Sequence, residues 1–569
     1  MSVSKVRPAG SAAAPEAGPA ARGRAGDLLA VAGLVAVAGV VEFFLRHLLT
    51  RPFYYDEASR AYEIAEGGRF VAHLNTAAAP LSLGWVGIET AARLVLGDTE
   101  AGLRAPMFVV LPVLGVATYL LARRWLGGAV SFCVAALLLV NLWIVNYDLQ
   151  FKSYTYEALI AVATLALYQV IQRTTWSRAR LLGLYTVLGL TCVMSLPNLF
   201  VVAPLLALDL VRALRQRTEL RIAGEAVAGV IALAHYALFV RPQAGVASTA
   251  FFVPDFAPHA PAAFVRFTLD GLGSYASTLI TGVVSADNTA PFYAFPPAAH
   301  WLLAVGVAVL VAAGVVAAAR DNAGRALITV VGGALLLELA GSAVRQWPFG
   351  LMRANIFVLP LLYILAGMGA VWLARALAGP SRSAAAQIAS WRVIAITAAL
   401  AVFAGMGVAG GVATAKGFAE TSAVQNGPTV FGGVKAFVAD ARQTAAPDDL
   451  VIIRADRSPA DWYAAPWLYY MSYYQGWPSQ VAALPRIPAQ NTISVFYVTP
   501  GAVERFLAAH RGSPAVYLLE FDVGGFQFPQ WAHQQSLTTL RRFGYCPVSD
   551  VGYVWTGHLT VLRADCPAR

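Results

Sequence analysis

Tyr54-Tyr55-Asp56-Glu57 follows the first membrane-length apolar run, Asp27–Leu49, after only a few residues. Two adjacent carboxylates therefore lie just outside the hydrocarbon, at the start of the first loop. Carboxylates at a membrane surface are costly to desolvate, so they commonly mark catalysis or an ion pair. Asp is also a favoured helix N-cap, so Asp56 could begin the amphipathic segment Ala58–Glu66. A capping role and a catalytic role are compatible.

The composition is that of an integral membrane protein. Apolar residues make up 58% of the chain and charged residues only 13%, with a mean hydropathy of +0.61. A soluble chain carries about 25% charged residues, and about 20 apolar residues cross a bilayer as a helix. We predict eleven spans: Asp27–Leu49, Pro106–Leu121, Ala129–Val145, Tyr156–Ile171, Leu181–Ser195, Leu196–Leu214, Ala223–Val240, His300–Ala319, Ala326–Ala343, Asn355–Leu377 and Val393–Thr414.

Arginine in alternate loops indicates the orientation. The short basic loops belong in the cytoplasm, which places the N-terminus inside and the other loops outside, including a first outer loop at 50–105 and a large outer loop at 241–299. The net charge of +10 comes mostly from these arginines, so it does not imply nucleic-acid binding. The basic segments are Arg22 with Arg24, Arg123-Arg124, Arg173 with Arg178 and Arg180, Arg212–Arg221, Arg320 with Arg325, and Arg375–Arg392.

Composition also divides the chain. Residues 1–26 predict a disordered cytoplasmic tail, residues 27–416 a transmembrane domain that carries the candidate catalytic residues, and residues 424–569 a small extracytoplasmic α/β domain, because strand and helix patterns alternate there. The predicted strands are Leu450–Ile453, Thr492–Val498, Ala515–Phe521 and Leu559–Leu562. In that outer region a disulfide between Cys546 and Cys566 is as consistent with the sequence as two free thiols.

The order and sidedness of several motifs carry a family resemblance. They are Tyr55-Asp56-Glu57-Ala58, then Gly102-Leu103-Arg104-Ala105-Pro106, Tyr147-Asp148-Leu149-Gln150-Phe151-Lys152-Ser153-Tyr154, Trp347-Pro348-Phe349-Gly350-Leu351-Met352-Arg353, and a closing outer domain. With these the chain resembles GT-C superfamily membrane glycosyltransferases, in the branch of protein O-mannosyltransferases, aminoarabinose transferases and RgtA/B/C/D-like proteins. It departs from the aminoarabinose branch at Asn75–Pro80, which lacks the Glu and Lys expected there.

The resemblance implies a polyprenyl-phosphate sugar donor and an acceptor (glycan, lipid or protein) on the outer face of the plasma membrane. It implies Asp56 as the general base, Asp148 as the second-loop acid, and Lys152 and Arg353 as phosphate-binding cations. Glu57 joins the acids as a catalytic candidate, and Arg104, Tyr154 and Arg345 complete the predicted substrate-binding residues. Asp56 and Asp148 could share a divalent cation, although the sequence shows no full ligand set. The high Ala, Gly, Val and Arg content is typical of a bacterial, GC-rich genome.

Structural alternatives exist for these residues. Asp148 and Lys152 are four positions apart and could form a helical ion pair, and Glu57 could pair with Arg60. Lys152 and Arg353 could extend to the membrane interface, while Arg104 at the head of a span could orient loops or pair with an acid.

Two other functions also fit parts of the sequence. A transporter or flippase of an envelope precursor is the main one, but transporters typically carry polar groups at mid-membrane, whereas these acids cluster at one surface. A sensor or assembly protein would explain the outer domain but not the first-loop acids.

Overall fold

The fold is described from a computed structural model of the whole chain. It describes residues 19–46, 49–53, 55–66, 82–148, 150–173, 176–241, 256–281, 297–350, 353–377, 433–455, 467–475, 478–484, 486–496, 501–521, 530–553 and 557–564. The predicted eleventh span, Val393–Thr414, lies outside these ranges, as do Cys566 and residues 1–18.

The part preceding residue 378 is helical. Its helices are α1 (Pro19–Leu45), α2 (Tyr55–Ala65), α3 (Leu83–Leu96), α4 (Glu100–Ala122), α5 (Gly128–Leu139), α6 (Leu142–Asp148), α7 (Tyr154–Arg173), α8 (Arg178–Met194), α9 (Leu199–Gln216), α10 (Glu219–His235), α11 (Pro261–Thr281), α12 (Pro297–Ala318), α13 (Asn322–Ala343) and α14 (Leu359–Leu377). Short 3-10 turns at Leu196–Asn198 and Arg353–Val358 precede α9 and α14.

Seven helices in the described residues are long and apolar enough to cross a membrane: Ala25–Leu45, Glu100–Ala122, Tyr154–Gln172, Leu196–Gln216, Glu219–Val240, Asn322–Ala343 and Arg353–Ala376. Gly128–Leu139 and Ala304–Ala318 are shorter apolar helices at two further predicted spans. The chain is therefore a polytopic helical membrane protein. The count of eleven stays a prediction.

Close helix packing depends on small residues at the crossing of α12 and α14. A Cβ at Gly314 would overlap the carbonyl of Leu365, and one at Gly369 would overlap the carbonyl of Leu310. Without a hydrophobic driving force in lipid, such close backbone approach is a principal source of helix association. The Arg353–Val358 turn and α14 together form the most deeply buried of the seven spans.

The C-terminal part forms a five-stranded mixed sheet. Its strands are β1 (Leu450–Ala455), β2 (Thr492–Phe496), β3 (Ala515–Phe521), β4 (Cys546–Tyr553) and β5 (Gly557–Arg563), in the order β2-β1-β3-β5-β4. Strand β1 pairs in parallel with β2 and β3, whereas β5 pairs antiparallel with both β3 and β4. The accompanying helices are α15 (Gly433–Thr444), α16 (Ser479–Ala482), α17 (Ala502–Ala509) and α18 (Gln530–Arg542).

The sheet region is docked against the first outer loop. The Tyr470 hydroxyl accepts a hydrogen bond from the backbone N–H of Phe53 at 2.8 Å. Lys435 Nζ lies 2.6 Å from Glu100 Oε1 and donates to the Tyr474 hydroxyl. These contacts join residues several hundred positions apart and fix the C-terminal region over the segment that carries the predicted acids.

Some predicted boundaries need correction. α1 begins at Pro19, so residues 19–26 continue the first span as a helix instead of belonging to a disordered tail; Pro is well suited to a first helical turn. Strand β4 was not predicted, because its Pro, Asp and Gly residues weaken a strand pattern. Cys546 is disulfide-bonded, whereas Cys133 and Cys192 are free.

Candidate functional site

A buried ion cluster centred on Glu57 joins several elements at one end of the helices. The side chain of Glu57 is fully buried. Arg104 Nη2 donates to Glu57 Oε2 at 3.0 Å, and Arg51 Nη2 donates to the same oxygen at 3.2 Å. The backbone N–H of Phe151 donates to Glu57 Oε1 at 2.7 Å. One carboxylate thus joins α2, α4 and the second outer loop.

Arg104 completes this cluster from the first turns of α4. It is fully buried and also donates to the backbone carbonyls of Leu49 and Arg51. Its guanidinium lies 4.6 Å from the centroid of the Phe53 ring. Glu57 therefore pairs with Arg104 and Arg51, and Arg104 takes the loop-orienting, acid-pairing alternative that the sequence left open.

Asp148, the last residue of α6, is a buried acid that differs from Glu57 in its lack of hydrogen-bond partners among the described residues. It is 0% exposed, and among the residues that the structure describes neither carboxylate oxygen has a hydrogen-bond partner. Burial raises the pKa of Asp148 well above its ordinary value, and the nearby Glu42 of α1 raises it further. An unsatisfied buried carboxyl costs stability, so its presence points to a function instead of a packing role.

The segment that follows Asp148 holds two other predicted residues. Lys152 is 4% exposed, and its ammonium group is therefore kept away from bulk water. Tyr154, at the start of α7, makes an edge-to-face contact with Tyr147, with ring centroids 5.1 Å apart. The Arg353–Val358 turn packs against both α6 and α7, which brings the Arg353 segment next to the segment of Asp148 and Lys152.

Arg345 lies apart from this buried group. It is exposed, and its φ of 57° places it in the left-handed region just past the end of α13. The N–H of Arg345 bonds to Ser342 O, and that of Gln346 to Gly341 O, which is a Schellman helix end. This position is usually Gly, so Arg345 forms a helix terminus that the sequence did not predict.

The predicted base, Asp56, is described only in its backbone. Helix α2 begins at Tyr55, so Asp56 belongs to the first helical turn and does not occupy the N-cap position. Its side chain lies outside the described residues, as does Tyr54. What the structure describes is its neighbour Glu57, which is held by the ion cluster and thereby fixes the start of α2 against α4.

Sequence reasoning missed several buried acids, among them Glu89 in the segment predicted as the first outer loop. Glu89 of α3 is 0% exposed with both oxygens unpartnered, and burial raises its pKa well above the ordinary value. It lies one turn after Trp85, whose ring is 5.1 Å from that of Phe151. Only helical periodicity could have found it, since Glu89 shares the inward face of Trp85 and Val86.

Two further acids lie within spans. The negative charge of Glu42 raises the pKa of Asp148. Glu338 of α13 accepts a hydrogen bond from Tyr275 in the large outer loop. Both therefore face outer-loop segments. Among the described residues, no group of three or more His, Cys, Asp or Glu side chains is arranged to hold a metal ion.

Comparisons with known proteins identify the fold. No protein-family model matches the sequence, and a search of curated proteins finds no match. Among solved structures, ArnT from Cupriavidus metallidurans in the apo state is similar over 94% of this chain and 98% of its own, with 14% identity and a TM-score of 0.51. ArnT bound to undecaprenyl phosphate gives the same identity and coverage with a TM-score of 0.49.

An oligosaccharyltransferase from Archaeoglobus fulgidus, in complex with Zn and sulfate, is 13% identical with a TM-score of 0.46, covering 85% of this chain and 68% of its own. Because all identities are low, the likeness that carries weight is that to apo ArnT, and it concerns the fold alone. The chain has the fold of the GT-C membrane glycosyltransferases, as the order of its motifs predicts.

Proposed function

We propose that this protein transfers a sugar from a polyprenyl-phosphate donor to an acceptor on the outer face of the plasma membrane. The shared fold with ArnT supports this class of reaction, and ArnT has been solved with undecaprenyl phosphate. The acceptor is an envelope glycan, lipid or protein.

One observation carries the proposal. Asp148 is a fully buried carboxyl group without a partner, four residues before the buried cation Lys152. A protein core would normally satisfy or remove such an acid. Such an acid four residues before a buried cation, on a loop tied by Phe151 to the acidic start of α2, fits a site that is completed by a substrate.

The chemistry assigns a role to each group. The acceptor oxygen bonds to the anomeric carbon of the sugar while the bond from that carbon to the phosphate oxygen breaks, and polyprenyl phosphate leaves with the electron pair. Asp56 takes the proton of the acceptor hydroxyl. Lys152 and Arg353 stabilise the charge on the leaving phosphate.

Asp148 has a different role from Asp56. Its raised pKa favours the protonated form, which can donate a hydrogen bond to a phosphate oxygen but cannot act as a base. Alternatively, in its ionised form Asp148 ligates a divalent cation, since its oxygens have no protein partner among the described residues. Either role places Asp148 on the donor side.

Glu57 and Arg104 act as positioning residues. The carboxylate of Glu57 already accepts from Arg104, Arg51 and Phe151, so it has little capacity left for substrate. The cluster holds the Asp56 turn and the Asp148 loop in a fixed relation, which is what proximity catalysis requires.

The test is sugar transfer by the purified full-length protein from a synthetic polyprenyl-phosphate sugar, with and without divalent metal. We expect Asp56→Asn to lower transfer by about 10²–10⁴-fold and Asp148→Asn by about 10²-fold. Asp270→Asn is the control, because Asp270 is 73% exposed on α11 and its ion pair within the described ranges is with the exposed Arg266.

Full transfer by Asp56→Asn would remove it as the base, and full transfer by Asp148→Asn would remove the observation on which the proposal rests. Binding of the donor without release of its sugar under any condition would favour the flippase alternative.

A further inference from the structure

A second cleft lies at the other end of the helices. It has a volume of about 530 Å³ and opens between the α4–α5 loop, the α12–α13 loop and the last turn of α14. Its polar and aromatic lining consists of Arg124, Trp125, Arg320, Asp321, Trp372 and Arg375.

This cleft is separate from the candidate site. Helix α4 has 23 residues, with Arg104 near its beginning and Arg124 just past its end. At 1.5 Å per residue, the helix spans about 34 Å. The cleft and the Glu57 cluster are therefore on opposite sides of the hydrocarbon, and the cleft lies among the arginine-rich loops assigned to the cytoplasm.

The charge of the cleft is strongly positive. Three arginines face one carboxylate, Asp321, and that carboxylate is engaged as the N-cap of α13, accepting from the Gly324 N–H at 2.7 Å. In the described part of the chain, no carboxylate lies within salt-bridge distance of Arg320 or Arg375. Arg320 lies instead over the Trp372 ring, 5.5 Å from its centroid.

We propose that this cleft binds a phosphate-bearing anion, the headgroup of an anionic phospholipid from the inner leaflet. Arginine forms paired hydrogen bonds with phosphate oxygens, and basic pockets between spans on the cytoplasmic side commonly hold such headgroups. Trp125 and Trp372 provide the amphipathic rings typical of headgroup depth. The volume lies in the range of small-ligand sites, about 300–1,000 Å³. The inference does not depend on the proposed transferase activity.

The experiment measures ligand binding to the purified full-length protein by the shift of its thermal midpoint. The probes are phosphatidylglycerol, phosphatidylcholine and inorganic phosphate, each titrated separately. We expect phosphatidylglycerol to bind and phosphatidylcholine not to. The double variant Arg320→Gln/Arg375→Gln should bind phosphatidylglycerol about thirtyfold more weakly, and Arg375→Gln alone about fivefold.

Arg266→Gln is the control, since Arg266 is 85% exposed on α11 in the large outer loop, and it should bind like the unmodified protein. If inorganic phosphate alone binds and the double variant loses that binding, the site is supported and its source is a soluble anion. Equal binding of phosphatidylglycerol and phosphatidylcholine would overturn the inference. The inference would also be overturned if neither arginine variant weakened the binding of phosphatidylglycerol. If the double variant does not fold, the Arg375→Gln single variant provides this test.

Discussion

The ion cluster makes Glu57→Gln the most informative single substitution. Glutamine keeps the shape of the side chain and can still accept from the Phe151 N–H, but it removes the negative charge that Arg104 and Arg51 share. Arg104 is 0% exposed, so the substitution leaves a buried charge without its counter-ion. Removing one partner of a buried pair costs about 3–5 kcal/mol. We expect the free energy of unfolding to fall by that amount.

A double-mutant cycle separates the pair from its surroundings. Arg104→Met should cost a similar amount, because it also leaves the Leu49 and Arg51 carbonyls without a donor. Glu57→Gln/Arg104→Met removes both members of this pair and leaves only Arg51 without the Glu57 charge, so the double variant should lose less than the sum of the single variants. Unfolding can be followed with a thiol-reactive dye, because Cys192 is a free, buried cysteine.

The same variant distinguishes a positioning role from a catalytic one. If Glu57→Gln unfolds as the unmodified protein does, within about 0.5 kcal/mol, and still loses transfer, then Glu57 acts in the reaction and the assignment made above is wrong. Additive losses in the cycle would likewise show that the Glu57–Arg104 contact does not couple the two side chains.

Three other predictions concern single residues. Burial raises the pKa of Asp148, so the folded protein retains a proton that the unfolded chain loses, and stability falls as pH rises above about 3.9; Asp148→Asn should flatten this slope and raise the thermal midpoint at neutral pH. Gly314→Ala should cost about 1–3 kcal/mol by overpacking, whereas Gly306→Ala on the same helix, where a Cβ meets nothing, should not; detergent melts of both check this. A hydrogen bond from His533 to Glu520 raises the pKa of His533. The stabilisation of the fold by this contact is therefore complete below about pH 6.5 and is lost as pH rises through the raised pKa. His533→Gln should remove this pH dependence, which is measured as the thermal midpoint across neutral pH.

Hydropathy located the helices well but not their ends. The predicted span Ala326–Ala343 corresponds to α13, which begins at Asn322 because the side chain of Asp321, five residues before the apolar run, caps the helix. Likewise the first span extends back to Pro19. Polar caps and helix-forming Ala and Arg continue a helix beyond the hydrocarbon, and a hydropathy pattern carries no information about them.

The sequence named Glu57 and Arg104 as candidate site residues but did not predict that they pair with each other, and their part in a reaction stays a prediction. The acids and cations were chosen for their position at one surface, and the structure brings Glu57, Arg104 and the Phe151 loop together. Arg60, three positions from Glu57, was the partner that local helix spacing offered. The actual partner, Arg104, is 47 positions away, and only the tertiary fold brings it to the start of α2.

Glu57 and Asp148 show the difference between an acid that stabilises the fold and one that is available to a ligand. Glu57 accepts from three different donor residues, so it stabilises the fold and has little left to offer a ligand. Asp148 accepts from none, so it lowers stability and has all its hydrogen-bonding capacity available. Proteins retain such a destabilising group where function requires it. Replacing Asp148 should therefore make this protein more stable, and we expect the reaction to need Asp148 for the same reason.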